Sequence, residues 1–184
     1  MKTEKQKMIA GELYDPLDAV LVADRLQTRL LLKALNDSGE DETEKRKNIL
    51  AKLIPHAAED LWLQPPFYCD YGYNIYIGYN VFFNFNCVVL DVSTVTIGSR
   101  TMFGPNVQLY TATHPMNHVE RASGLEYAKP IVIGDDVWVG GSVVVCPGVT
   151  IGHRSVIGAG SVVTKNIRAD VFAAGNPCRV IREL

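Results

Sequence analysis

The four histidines of this 184-residue chain are the side chains best suited to proton transfer near neutral pH. His114 differs from the others because it ends a regular sequence repeat, directly before a stretch that lacks the repeat. An imidazole at this position is a candidate general base, although a packing role fits the same position. His118 lies within the irregular stretch. We interpret His56 and His153 as solvent-facing residues of a linker and a turn.

The repeat that leads up to His114 has a period of six residues. From Ile133 the chain reads IGDDVW, VGGSVV, VCPGVT, IGHRSV, IGAGSV and VTKNIR. The first position is a branched apolar residue, and the fifth is small or β-branched. A period of six matches neither a helix nor an ordinary sheet. The pattern predicts short strands joined by tight turns, with the first and fifth side chains filling a narrow interior.

The same register occurs upstream, in two sets of three hexads that begin at Ile77 and Ile97. On a three-sided prism, these twelve hexads predict four coils. Residues 56–70 contain Pro65-Pro66 and predict an irregular entry to the prism. The hexads are missing between Pro115 and Pro130, which predicts a loop over 115–130 extruded from one corner. Long loops inside a compact repeat fold are usually functional, so this corner is a candidate site.

The first 55 residues differ in pattern from the rest of the chain. Apolar residues recur at spacings of three and four between residues 17 and 35, which predicts an amphipathic helix. The run Asn-Asp-Ser-Gly at 36–39 ends it, and a second helix is predicted to end before Pro55. We therefore predict a small helical domain over 1–55 and a β domain over 56–184.

Composition limits the partners of the chain. A net charge of −2 and a pI near 6.1 argue against a nucleic-acid binder, which usually carries a basic face. The N-terminus lacks the apolar stretch of a signal peptide, and no apolar run approaches the roughly 20 residues of a membrane span. We predict a cytoplasmic protein with neither nucleic acid nor membrane as a partner.

Short motifs spread over almost the whole chain point to one enzyme family. They are IAGELY at 9–14, CDYG at 69–72, NFN at 84–86, TATHP at 111–115, EY at 126–127, KP at 129–130 and GNPCR at 175–179. Together they resemble the maltose and galactoside O-acetyltransferases. The resemblance implies a mainly β fold: a left-handed parallel β-helix of hexapeptide repeats with a small N-terminal helical domain and one extruded loop.

The resemblance also implies a reaction and the residues that perform it. His114 is expected to be the general base that deprotonates a sugar hydroxyl, which attacks the thioester of acetyl-CoA without a nucleophilic Ser or Cys. The expected acceptor ligands are Asn84 and Asp91. A homotrimer is implied, with each site between two chains, acetyl-CoA as co-substrate and no required metal. The expected coenzyme contacts are Gly141, Ala159, Thr164, Lys165, Arg179 and Arg182.

Several alternatives remain at this point. Maltose or glucose is the favoured acceptor, but a galactoside, a lipochitooligosaccharide or an amino sugar would use the same residues. A metal enzyme resembling carbonic anhydrases would hold zinc by three histidines across a subunit interface, of which His114 and His118 could supply two. A non-catalytic β-helix scaffold that binds a glycan or a protein is the third class. Trp138 either lines the thioester cleft or packs between chains.

Overall fold

The computed structural model describes all 184 residues, and its helices lie almost entirely before residue 55. Asp18 caps the second helix by accepting the peptide N–H groups of Val20 and Leu21. That helix ends within the predicted break at 36–39. The helices are α1 (Glu4–Ile9), α2 (Ala19–Asn36), α3 (Thr43–Leu53) and the short α4 (His118–Arg121).

Short strands make up the rest of the chain, as the hexads predict. In chain order they are β1 (His56–Ala57), β2 (Trp62–Leu63), β3 (Phe67–Cys69), β4 (Ile75–Ile77), β5 (Phe82–Phe83), β6 (Cys87–Leu90), β7 (Val95–Ile97), β8 (Met102–Phe103), β9 (Gln108–Tyr110), β10 (Ala112–Thr113), β11 (Tyr127–Ala128), β12 (Ile131–Ile133), β13 (Trp138–Val139), β14 (Val144–Val145), β15 (Thr150–Ile151), β16 (Val156–Ile157), β17 (Val162–Val163), β18 (Val171–Ala174) and β19 (Arg179–Glu183).

Consecutive strands of the prism join different sheets, so the chain winds around three sides. The first sheet has the order β1-β4-β7-β12-β15, and the third has β3-β6-β9-β14-β17. The second runs β2-β5-β8-β13-β16-β18 and ends in β19, which is antiparallel to β18. All other pairs within these three sheets are parallel. The predicted parallel β-helix is confirmed.

The prediction of an irregular entry at 56–70 is wrong. Strands β1, β2 and β3 already form a complete coil and pair in register with β4, β5 and β6. The prism therefore has five coils, since the first and third sheets hold five strands each. Pro65-Pro66 interrupts the hexad pattern at a corner and leaves the strands on either side paired, which is why the sequence pattern missed this coil.

The interior is filled by the predicted hexad positions. Every first-position residue from Ile77 to Val163 is buried, and every fifth-position residue is buried except Thr113, where the loop leaves the prism. Three phenylalanines fill the early coils: Phe83 stacks on Phe103 with ring centroids 4.3 Å apart, and Phe67 meets Phe83 edge-on at 5.8 Å. This stack links three coils along the prism axis.

Phe103→Ala is expected to lower the free energy of unfolding by about 3–5 kcal/mol, because it removes the buried ring that stacks on Phe83 and leaves a cavity between coils. Denaturant unfolding at fixed protein concentration measures the change. Thr96→Ala, on the exposed outer face of β7, is the control and should stay within about 0.5 kcal/mol of wild type. Equal unfolding midpoints for the two variants would contradict the prediction.

The helical segment packs on the prism through fewer residues than the apolar spacing of α2 suggests. Leu21, Leu32 and Leu35 are buried, whereas Leu26 and Leu30 remain more than half exposed. A small second core joins the helices to one corner of the prism. The members of that second core are Met8, Tyr14, Leu21, Tyr71, Val92 and Ala128.

None of the helices combines the length and the apolar character required to cross a membrane.

Candidate active site

His114 lies at the corner where the chain turns from the third sheet back to the first. We call this the histidine corner; it is formed by residues 69–72, Asp91, 111–114 and 164–165. His114 directly follows β10, which pairs antiparallel with β11 to form the stem of the predicted loop. The imidazole is half exposed, and its Nε2 lies 4.0 Å from Oε1 of Glu126. An exposed imidazole at the rigid root of a loop can exchange a proton with a bound molecule.

The other histidines differ in environment. The ring of His56 stacks on that of Tyr76 at 4.5 Å. Nδ1 of His153 accepts the peptide N–H of Asp135 at 2.8 Å. His118 begins α4 and is exposed. His153 is also exposed and its Nδ1 lies 3.3 Å from Oδ2 of Asp135, so what distinguishes His114 is that its imidazole and neighbouring carboxylate lie where the loop leaves the prism.

Glu126 is held beside His114 by a residue 112 positions earlier in the chain. Tyr14 and Glu126 exchange two backbone hydrogen bonds of 3.0 and 3.1 Å, and the Tyr14 hydroxyl donates to Oε2 of Glu126 at 2.8 Å. Burial and the neighbouring carboxylate raise the pKa of Tyr14, so the phenol stays a hydrogen-bond donor. The helical segment thus fixes a carboxylate next to the imidazole. Sequence reasoning missed this contact because no local pattern links the two segments.

Helix α2 contributes two cations to the same corner. Arg25 donates to the Tyr71 hydroxyl at 2.7 Å and to the carbonyl of Pro16 at 2.6 Å. Arg29 lies 3.7 Å from the carboxylate of Asp70. Burial raises the pKa of Asp70 although both arginines oppose the shift. The corner therefore combines cations, carboxylates and hydroxyls, a set that suits a ligand with many hydroxyl groups.

Asp91, predicted as an acceptor ligand, has a fully buried side chain. Its Oδ1 accepts the peptide N–H groups of Asp70 and Tyr71, both at 2.9 Å. Its Oδ2 is buried and makes no hydrogen bond of normal geometry, although the peptide N–H of Gly72 acts on the same carboxylate. Burial raises the pKa of Asp91 to about 6, and the charge of Asp70 adds to this against the lowering effect of the peptide N–H groups. The chain therefore presents no exposed oxygen of Asp91 to a sugar.

Asp91→Asn is expected to change how stability depends on pH. The bound proton of Asp91 stabilises the native state below its ordinary pKa of 3.8, and that stabilisation is lost as pH rises through about 6. The loss is on the order of 3 kcal/mol. Unfolding of both proteins between about pH 4 and pH 8 measures it, and the variant should gain stability relative to wild type as pH rises. Parallel pH curves would show that Asp91 titrates normally.

Asn84 lies at a different corner, between the second and third sheets. We call this the asparagine corner; it includes 84–86, 104–106, 140–142 and 158–160. The Oδ1 of Asn84 accepts the peptide N–H of Phe85 at 2.7 Å, so its Nδ2 is left to donate elsewhere. Gly141 and Ala159 lie at this corner in later coils. The backbones pack closely there, because a Cβ on Gly140 would come within 2.6 Å of the Ala159 nitrogen.

The remaining predicted coenzyme contacts lie elsewhere in the chain. Thr164 and Lys165 follow β17 at the histidine corner, and Arg179 and Arg182 lie on β19. The three cations have no acidic partner within 4.0 Å. One chain therefore brings Asn84, Gly141 and Ala159 to one corner but places His114 at another.

The outer face of the second sheet carries a continuous apolar row. Trp62 and Trp138 are 62% and 53% exposed, and Met102 between them is 48% exposed. The outer row of the first sheet is more polar: His56, Tyr76, Thr96, Val132 and Thr150. The row on the second sheet, paired in register, is Trp62, Phe82, Met102, Trp138, Val156 and Phe172.

Potential metal ligands do not cluster in this chain. No group of three histidine, cysteine, aspartate or glutamate side chains is arranged to hold a metal ion. Within one chain, His114 and His118 therefore belong to no group of three metal ligands.

Comparison with known proteins agrees with this architecture. Residues 7–58 match the model of the maltose acetyltransferase hexapeptide capping motif, and residues 130–165 match the bacterial transferase hexapeptide model with six repeats. Galactoside O-acetyltransferase of Escherichia coli K12 is 45% identical over 179 residues, which cover 97% of this chain and 88% of the relative.

Two solved structures extend the comparison to the fold. The maltose O-acetyltransferase of Clostridium difficile 630 superposes with a TM-score of 0.98 at 48% identity, covering 100% of this chain and 98% of that one. A hexapeptide-repeat acetyltransferase of Vibrio cholerae O1 biovar eltor, complexed with acetyl coenzyme A, has a TM-score of 0.92 at 40% identity, covering 100% and 99%. With similarity of this extent along the whole chain, the protein belongs to the maltose and galactoside O-acetyltransferase family of hexapeptide-repeat acyltransferases.

Proposed function

We propose that this protein transfers the acetyl group of acetyl-CoA to a hydroxyl of a small sugar, with maltose or glucose as the favoured acceptors. The observation that carries the proposal is the half-exposed imidazole of His114 beside Glu126 at the root of the loop, in a chain of this family. The relatives named for maltose and galactoside support an acceptor with sugar hydroxyls.

The proposed reaction uses His114 as a general base. Its imidazole takes the proton of the sugar hydroxyl, and the oxygen attacks the thioester carbonyl of acetyl-CoA to give a tetrahedral oxyanion. The C–S bond then breaks, the acetyl ester forms, and the thiol leaves with a proton returned from the imidazolium. General-base assistance is typically worth about 10²–10⁴-fold in rate, and alignment of two bound substrates contributes further.

The chemistry of the polar groups at the histidine corner supports a sugar as the acceptor. The carboxylates of Asp70 and Glu126 can accept hydrogen bonds from hydroxyls, and Arg25 and Arg29 can donate to sugar oxygens. Asn84 is proposed to contribute its free Nδ2 from a neighbouring chain. We propose contact with the sugar for these groups and an indirect role for Asp91, whose side chain is buried.

The residues proposed for acetyl-CoA also fit that ligand. Close backbone packing at Gly141 and Ala159 would let a slender pantetheine arm approach main-chain amides. Lys165, Arg179 and Arg182 lack acidic partners, and cations of this kind pair with nucleotide phosphates. Thr164 adds a hydroxyl at the histidine corner. The acetyl-CoA complex of the Vibrio cholerae relative supports this ligand.

We propose a homotrimer in which each active site lies between two chains. Two observations support it. His114 and Asn84 lie at different corners of one prism, and the apolar row on the second sheet is exposed in one chain, as surfaces that bind another protein are. A neighbouring prism that packs against this row would bring its histidine corner to the asparagine corner. Trp138 would then lie both in the contact between chains and beside the cleft. The cytoplasmic location stays a prediction.

A galactoside or another sugar derivative is the alternative acceptor, supported by the 45% identity to a galactoside O-acetyltransferase. The same residues would act on it. A non-catalytic scaffold would have no need for an exposed imidazole and a fixed carboxylate where an extruded loop leaves the prism, and a three-histidine zinc site would need a third ligand.

Free-thiol release from acetyl-CoA, measured with purified protein and a panel of acceptors, tests the proposal. The panel holds maltose, glucose, isopropyl-thiogalactoside, glucosamine and serine. Release that requires a sugar, with one sugar leading, is the expected result. Absence of acetyl-CoA binding would overturn the transferase proposal and favour a scaffold. Bound zinc in active protein, with activity lost on chelation, would favour the metal enzyme.

A further inference from the structure

Asp91 combines two features that are costly together in a folded protein. Its side chain has no exposure to solvent, and its Oδ2 makes no hydrogen bond of normal geometry, although the peptide N–H of Gly72 also acts on the carboxylate and lowers its pKa. A buried polar atom without a partner destabilises the native state, so a residue of this kind requires an explanation. Nearly every other buried position of this prism holds an apolar side chain or a hydroxyl.

The one engaged oxygen of Asp91 organises the turn at 69–72. Oδ1 accepts two successive peptide N–H groups, those of Asp70 and Tyr71, at 2.9 Å each. The main chain of Asp91 is itself anchored, because Nδ2 of Asn74 donates to its carbonyl at 2.7 Å. A carboxylate oxygen that accepts hydrogen bonds from two successive peptide N–H groups fixes the backbone of those two residues. The direction of their side chains is thereby fixed as well.

Helix α2 docks onto this same turn. The hydroxyl of Thr28 donates to the carbonyl of Tyr71 at 2.9 Å, Arg25 donates to the Tyr71 hydroxyl, and Arg29 pairs with Asp70. Gly72 closes the turn with a φ of +78°, and a Cβ there would come within 2.0 Å of the carbonyl oxygen of Leu53. Asp91 and helix α2 therefore both contact this turn, and together they fix the orientation of Asp70.

Asp70 keeps a partly exposed carboxylate at the histidine corner. Its side chain is 18% exposed, and the charges that act on its carboxylate include that of Glu126, the residue 4.0 Å from the His114 imidazole. Asp70 and Glu126 are thus two carboxylates of one corner, and only Asp91 among the three acidic residues is sealed from solvent.

We infer that Asp91 is a positioning residue for the acceptor: it holds the 69–72 turn so that the Asp70 carboxylate hydrogen-bonds a sugar hydroxyl. Asp70 is then a specificity-determining ligand, and Asp91 acts only through it. This inference rests on the proposed function, since it assigns residues to the acceptor side of that reaction. Acetyl-CoA contacts lie on other residues, so neither carboxylate should affect coenzyme binding.

A double-mutant cycle tests the inference. Asp70→Asn and Asp91→Ala should each raise the acceptor KM by about tenfold, the effect of one lost charge-assisted hydrogen bond. The acceptor KM of the double variant should be no higher than that of the poorer single variant. Asp91→Ala acts by displacing the Asp70 carboxylate, so it has no further effect once that carboxylate has been removed. The acetyl-CoA KM should stay at the wild-type value in all three.

Asp91→Asn is the conservative variant, since its Oδ1 can still accept both peptide N–H groups. It should keep the acceptor KM within about threefold of wild type, and it covers the case in which Asp91→Ala fails to fold. Additive losses in the double variant, or an Asp91→Asn protein that folds but binds the sugar as poorly as Asp70→Asn, would overturn the inference. Wild-type protein without any sugar-dependent thiol release would contradict the proposed function as well.

Discussion

His114→Ala is expected to lower turnover with the leading sugar by about 10²–10⁴-fold, with the Kd for acetyl-CoA unchanged. The variant removes the imidazole that receives the hydroxyl proton, and the side chain is half exposed, so its removal leaves no cavity in the core. Steady-state thiol release gives kcat and KM, and calorimetric titration gives the affinity for acetyl-CoA.

His118→Ala is the matched control, because it removes an exposed imidazole from the same loop. It should keep wild-type turnover. Equal losses in both variants would indicate a damaged loop or a shared metal site rather than a general base. Near-wild-type turnover of His114→Ala would show that another group takes the proton.

Mixing two impaired variants is expected to restore activity. His114→Ala lacks the base, and Asn84→Ala lacks the amide proposed to reach the acceptor from the neighbouring chain, with an expected loss of at least about tenfold. A site formed by the His114 of the Asn84 variant and the Asn84 of the His114 variant is complete. Every mixed cyclic trimer contains one such complete site, so isolated mixed assemblies should regain about a third of the wild-type sites.

Co-expression with two different affinity tags isolates the mixed assemblies for this measurement. A His114→Ala and Asn84→Ala double variant mixed with His114→Ala is the control, because no combination of those chains completes a site. Tagged assemblies that contain both chains and show no recovery would contradict a site shared between chains. A monomer in solution would contradict the proposed assembly itself.

The contacts around His114 include groups of the helical segment. Tyr14 reaches across the sequence to hold Glu126, and α2 supplies Arg25 and Arg29 to the turn that carries Asp70. An N-terminal segment that only closed the end of the prism would have no reason to place charged groups at this corner. We therefore expect acceptor specificity to depend on the first 55 residues as much as on the prism.

The sequence by itself determined the β-helix and the place where the loop leaves it. A period of six requires that two positions in each hexad face inward, so the buried residues could be assigned by counting, and the break after His114 marked the loop. Local turns and caps are also encoded locally, which is why the end of α2 at 36–39 agrees with the prediction. Where the pattern was interrupted by Pro65-Pro66, the first coil was missed.

Only the tertiary structure decided which side chains meet. The contact between Tyr14 and Glu126 joins residues 112 positions apart. The buried side chain of Asp91 hydrogen-bonds a turn that lies 20 residues earlier in the sequence. The two corners that carry His114 and Asn84 were likewise set by how the strands fall into three sheets. Periodicity reports which side of the backbone a residue faces, whereas distances across corners depend on the winding of the whole chain, which no local pattern contains.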